Sequence, residues 1–201
     1  MRHVLLSGFI IVVLLGARSS YACLPEGVLY FEVSPPCPVE ADSVKIAVFG
    51  GFPNQCWSPT SLDSAIVNDS MISMHLSTVH SGYDICFMQP VAVYHAIETD
   101  PRPAGTYAIE VVVSIDTGKY AGTYICISDF SVYAMGDANA DHILTAADVI
   151  VMVNHVFRGD VAPCGRMGDV NCDHTLTSAD IIYLVNHLFK SGPPPVIVCE
   201  P

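Results

Sequence analysis

The residues with the clearest chemistry stand in two short runs, "GDANADHILTAAD" from Gly136 and "GDVNCDHTLTSAD" from Gly168. Counted from Asp137 as position 1, Asn139 is position 3, Asp141 position 5, Ile143 position 7, Thr145 position 9 and Asp148 position 12. The second run repeats the series as Asp169, Asn171, Asp173, Thr175, Thr177 and Asp180. Three carboxylates gathered in one tight loop repel one another unless a cation sits among them. Alternate side chains of such a loop turn inward, the position-7 carbonyl joins them, and position 12, in the first turn of a following helix, closes the far side. An oxygen-only donor set selects a hard cation, calcium over zinc.

This is the spacing of the EF-hand calcium loop, so two Ca2+ sites are expected, with metal binding and loop ordering linked. Two departures stand out. Position 6, ordinarily Gly, is His142 in one copy and His174 in the other; His enters the left-handed backbone region at modest cost. Position 12 is Asp rather than Glu, and no helix precedes either loop.

The elements that must hold these loops follow from the flanking pattern. Strings of 28 residues starting at Gly136 and Gly168 share roughly 15 identities at a fixed offset of 32, an internal duplication. Behind each loop an apolar set (Val149, Ile150, Met152, Val153, Val156, Phe157 and its mirror Ile181, Ile182, Leu184, Val185, Leu188, Phe189) falls at helical spacing. One three-turn helix cannot bury such a stripe alone, whereas two copies facing each other can. Paired loop-plus-helix units opened by "GD", with Asp at position 12, resemble the type I dockerin domain over 136–195, a third of the chain. The resemblance implies an all-α, EF-hand-related module that plugs into a cohesin-type domain of another protein. It places partner contacts just before position 12 and further along each helix, at Ala146, Ala147 and Asn154 and at Ser178, Ala179 and Asn186.

The region before residue 135 reads differently. Runs such as "SVKIAVFG", "TYAIEVVVSI" and "TYICISDFSVY" alternate at period two between breaks rich in Gly, Pro, Ser and Asp. About seven such strands in about 110 residues predict an antiparallel sandwich. The string "AGTYAIEVVV" resembles a late strand of bacterial immunoglobulin-like domains. The expected layout is therefore multidomain: signal peptide 1–22, all-β immunoglobulin-like sandwich 23–134, and dockerin-like module with a Pro-rich tail 135–201.

Composition narrows the partners. A net charge of -12 with only eight Lys and Arg excludes nucleic acid and anionic membrane surfaces. Arg2 and His3, the apolar run Val4 to Leu15 and the small-x-small site before Cys23 mark a secretory leader, with no spanning segment after its removal. Cys23 also stands where a bacterial lipoprotein carries its lipid. An even eight cysteines in an exported, cell-surface or secreted chain favours disulfides. Cys56 with Cys86 and Cys164 with Cys172 are the two pairings expected; a link from Cys199 to Cys126 would instead clamp the C-terminal segment to the sandwich.

Other candidates are weaker. His155 and His187, at matching helix positions, fit structural hydrogen bonds, and His75, His80 and His95 lack paired ligand spacing for zinc. Trp57, Tyr83, Tyr94, Tyr107, Tyr120 and Tyr124 can either stack on sugar rings or fill a core. Asn68 opens an "NDS" glycosylation acceptor. No nucleophile with its base and no Gly-rich phosphate loop has motif support, so the chain is expected to be non-catalytic. Three functions stay open: a calcium-dependent plug for a cohesin-type partner, an adhesive or polysaccharide-binding sandwich whose calcium loops cap its own chain, and a small secreted hydrolase.

Overall fold

The computed structural model describes residues 20–199 apart from 22 and 84. Most of the expected leader, 1–19, lies outside the described residues. Eight strands and two helices follow in order: β1 (Ser20–Tyr21), β2 (Val28–Ser34), β3 (Val44–Phe52), β4 (Ser61–Val67), β5 (Met71–Thr78), β6 (Val91–Thr99), β7 (Gly105–Ile115), β8 (Gly122–Val132), α1 (Ala146–Arg158) and α2 (Ser178–Lys190). The strands make two four-stranded sheets, β1-β2-β3-β6 and β4-β5-β7-β8.

Period-two alternation explains which face each strand buries. In β7, Tyr107, Ile109, Val111, Val113 and Ile115 point inward, and in β8 Cys126, Phe130 and Val132 do the same. They meet Leu29, Phe31, Val44, Ile46, Val48 and Val93 of the facing sheet in one apolar core. The expectation of an antiparallel sandwich needs a correction, because β5 and β7 pair in parallel from Met71↔Ala108 to Thr78↔Ile115. The cause is topological. β6 crosses to pair with β3 in the other sheet, so the chain returns to β5 running the same way.

The larger correction concerns the C-terminal third. Sequence reasoning gave a separate all-α module, yet the chain is one small β-rich domain carrying two 13-residue helices. Each helix is too short to bury its own stripe, and they do not do so unaided. Their cluster, Met135, Ala138, Met152, Met167, Val170, Ile181 and Leu184, is completed by Val39 from the β2–β3 connection, itself fully buried. Val39 also forms a parallel bridge to Tyr133, and the Tyr133 amide donates to Pro38 O. Arg166 pairs with Asp42 at 3.0 Å, and a disulfide joins Cys37 to Cys164. The segment is therefore a cap built into the sandwich, not a free plug.

The disulfides correct the sequence reading at a second point. Cys56 is joined to Cys86. Cys164 and Cys172 do not pair with each other: Cys164 takes Cys37, and Cys172 takes Cys199. Cys126 is joined to Cys23, whose thiol is thus committed to a disulfide rather than to a lipid.

Candidate functional site: two acid-rich loops

Each loop is shaped by the same small set of residues. Gly136 and Gly168, the glycines of the two "GD" openings, lie where an added Cβ would come within 2.9 Å of the Leu144 and Leu176 methyl groups respectively, which would have to shift, and Gly136 also holds a φ of +99 that favours glycine. Left-handed backbone then appears at two positions per loop: position 6, as foreseen, in His142 (φ 65) and His174 (φ 68), and position 4 in Ala140 (φ 60) and Cys172 (φ 61). Sequence reasoning missed position 4, since Ala and Cys carry no turn signal.

The first carboxylate of each loop gathers amides. Asp137 accepts from the Asp141 and His142 N–H groups at 3.1 and 2.9 Å, and Asp169 accepts from Asp173 and His174 at 3.0 Å each. At position 3, the Asn139 and Asn171 side-chain amides donate to Asp141 and Asp173 at 2.8 and 2.9 Å. The Ile143 and Thr175 amides then close onto those same position-5 aspartates at 2.8 and 3.0 Å.

Positions 9 and 12 carry a duty that the spacing alone did not reveal. Thr145 and Thr177 are the N-caps of α1 and α2, each forming a capping box with Asp148 or Asp180. Asp148 accepts from Asn139 and Thr145 amides at 3.1 and 2.7 Å, and Asp180 from Asn171 and Thr177 amides at 3.3 and 2.8 Å. A carboxylate has about four lone-pair sites, so these bonds leave acceptor capacity on both.

Electrostatics separate the two loops. Burial is the main force pushing the Asp137 carboxyl above its usual range; the His142 and Asp141 amides oppose it, and the charges of Asp148 and Asp141 reinforce it. Asp173 moves the other way, held low first by the Thr175 hydroxyl, then by the Asn171 amide and the Thr175 backbone N–H. In the second loop, ligand atoms of Asp169, Asp173 and Asp180 all lie within 4.8 Å of one another. Asp169 and Asp180 are buried while Asp173 is exposed, so the group opens to solvent on one side.

The other candidate residues fall as follows. Ala146, Ala147, Ser178 and Ala179 are exposed in the first helical turns. Asn154 and Asn186 are half-buried and serve the C-caps through their carbonyls, which accept from Asp160 and Gly192. His155 and His187 turn Nδ1 toward the carbonyls of Asp160 and Gly192. His95 meets Thr60, and His75 meets Ser73. His80 is buried, edge-on to Trp57 and Tyr120. Trp57 is core, stacked on Phe52 at 4.2 Å, and Tyr107 is buried against Phe130. Tyr124 is half-buried, with its hydroxyl on Tyr120 O, whereas Tyr83 and Tyr94 are exposed.

Comparison with known proteins returns no matching family model, curated protein or solved structure. Together with the shared core around Val39, this overturns the dockerin assignment: no family model supports it, and the segment is not the all-α module it requires. The cohesin-type partner inferred from that assignment loses its ground with it. Four disulfides fit an extracellular, oxidising setting, and among the described residues no helix is long and apolar enough to cross a membrane.

Proposed function

We propose that this is a non-catalytic exported binding protein: a β-sandwich whose C-terminal cap is held in shape by calcium in its acid-rich loops. The observation that carries the reading is the convergence of Asp169, Asp173 and Asp180 within 4.8 Å. The donor set fits calcium, since every side chain offered is an oxygen ligand and the neighbouring Cys172 sulfur is committed to a disulfide. The first loop repeats the same bonds around Asp137, Asn139, Asp141 and Asp148 and is read as the second site.

The cap serves its own chain. Beyond Cys37–Cys164, the tail returns to the second loop through Val196 N to Val170 O at 3.0 Å, Tyr183 OH to Pro194 O and the Cys172–Cys199 bridge. A segment tied down at this many points is suited to stabilising a scaffold. The hydrolase alternative calls for convergent acids on the sandwich; among the described residues the convergent acids lie in the cap.

The test is calorimetric titration of the oxidised full chain with calcium, with magnesium as comparison, alongside thermal unfolding. Saturable calcium binding with a higher Tm, abolished in the second loop by Asp169→Asn with Asp180→Asn, is expected. Absence of binding heat and an unchanged Tm at millimolar calcium would defeat the proposal.

A further inference from the structure

The cap occupies one end of the sandwich. At the opposite end, β2, β6 and β8 begin while β3, β5 and β7 finish, so the connections around residues 23–27, 53–60, 79–90 and 116–121 come together there. Between them is a cleft of about 290 Å3, lined by Glu26, Asn54, His80, Tyr83, Lys119 and Tyr120. The Cys56–Cys86 bridge also lines it and ties the long 79–90 connection to the one following β3.

The polar groups are held in place before any ligand arrives. Tyr120 donates its hydroxyl to Glu26, occupying one carboxylate oxygen and leaving the other. Asn54 Oδ1 accepts from the Cys56 amide at 3.0 Å, so the side chain presents its Nδ2 donors. His80 Nδ1 accepts from Gly82 N at 3.1 Å, which puts the proton of the neutral ring on Nε2. Tyr120 is backed by Trp57, whose ring stacks on it at 5.7 Å and also on Phe52 in the core, and Lys119 Nζ lies over the Tyr120 ring at 5.1 Å. Tyr83 stands at the rim, 74% exposed, with Ile85 and Met88 beside it.

We propose that this cleft binds a single neutral sugar ring of a glycan. The chemistry that recognises such a ring is what converges here: a carboxylate oxygen, amide and imidazole donors for hydroxyls that both donate and accept, and the exposed Tyr83 ring for the sugar's C–H groups. One acid and one base, Glu26 and Lys119, line the cleft among the described residues, which favours a neutral ligand over a polyanion. The volume sits at the lower end of small-molecule sites, which run from roughly 300 Å3 upward, and suits one ring rather than a chain.

The inference rests on the reading of the chain as a binding protein and is independent of the calcium cap. The oxidised full chain is titrated by calorimetry with cellohexaose, xylohexaose, mannohexaose and maltohexaose, and with oligogalacturonate as the anionic comparison, each with calcium and with chelator. Binding of at least one neutral oligosaccharide is expected, weakened about tenfold by Tyr83→Ala and by Glu26→Gln, which keeps an acceptor for Tyr120. Tyr94→Ala, exposed on β6, leaves affinity and Tm unchanged. No neutral binder, a preference for oligogalacturonate, or binding indifferent to Tyr83→Ala and Glu26→Gln would each overturn the proposal. Sugar binding without calcium binding would remove the cap reading and leave the cleft standing.

Discussion

Val39→Ala tests whether the helical segment is part of the sandwich. Val39 is fully buried and is the residue of the β2–β3 connection inserted among Met135, Met152, Met167, Ile181 and Leu184. Truncation removes two methylene equivalents, about 1.6 kcal/mol at ~0.8 kcal/mol each. The void left between side chains that are themselves pinned raises this to about 2–3 kcal/mol. For a chain of this size each kcal/mol lowers Tm by about 2–4 °C, so a fall of roughly 5–10 °C is expected. The assay is differential scanning calorimetry of the oxidised chain, with and without added calcium, with Val67→Ala, exposed at the end of β4, as a control that moves Tm little. One transition shifting as a whole supports the shared core. A split trace in which the sandwich transition stays fixed, or no shift at all, would refute the reasoning, because it would mean the helices melt independently of Val39.

Thr177→Ala removes the N-cap hydroxyl of α2 and is expected to cost about 1 kcal/mol, read as a lower denaturant midpoint with unchanged slope. Gly118→Ala is expected to disturb the sugar cleft without touching the cap: its Cβ would meet His80 O at 2.5 Å and His80 Nδ1 at 2.8 Å at a φ of +91, so His80 ring signals shift in NMR while calcium affinity stays constant. Without metal the two loops respond oppositely to pH. Asp137, with its folded pKa raised, stabilises most below its unfolded value of about 4 and loses that contribution as pH rises through the folded value. Asp173, with its pKa lowered, contributes above about 4 and loses it as pH falls through the lower folded value. Amide exchange at His142, which donates to Asp137, and at Thr175, which donates to Asp173, follows the two trends, and identical profiles would contradict the assignment.

Strand periodicity made most of the sandwich readable in advance, because a half-buried strand has to alternate. Direction is another matter: Ile72 and Ile109 look the same whether their strands run parallel or antiparallel, so the β5–β7 pairing was invisible. The duplicated acids were equally plain, and the left-handed histidines at position 6 were anticipated. What hid was non-local. Nothing in "PCPVEADS" marks Val39 as the residue that completes the helical core, and that omission is what made the C-terminal third look detachable. Local pattern also assigned Thr145, Thr177, Asp148 and Asp180 to a metal without their capping work. The cleft draws its groups from four connections spread between Glu26 and Tyr120, which no spacing rule gathers.

The covalent map has a consequence for how the chain is made. Of the four bridges, Cys56–Cys86 and Cys172–Cys199 join cysteines adjacent in the series, while Cys23–Cys126 and Cys37–Cys164 span 103 and 127 residues and cross each other. A chain emerging from a ribosome or translocon in an oxidising compartment presents Cys23 and Cys37 together long before either partner exists. Oxidation in order of appearance would join those two and trap the sandwich open. On that route the native map is reached by thiol–disulfide exchange after β8 and the linker to α2 have been delivered. Adding a disulfide isomerase during oxidative refolding is therefore expected to raise the yield of correctly bridged protein.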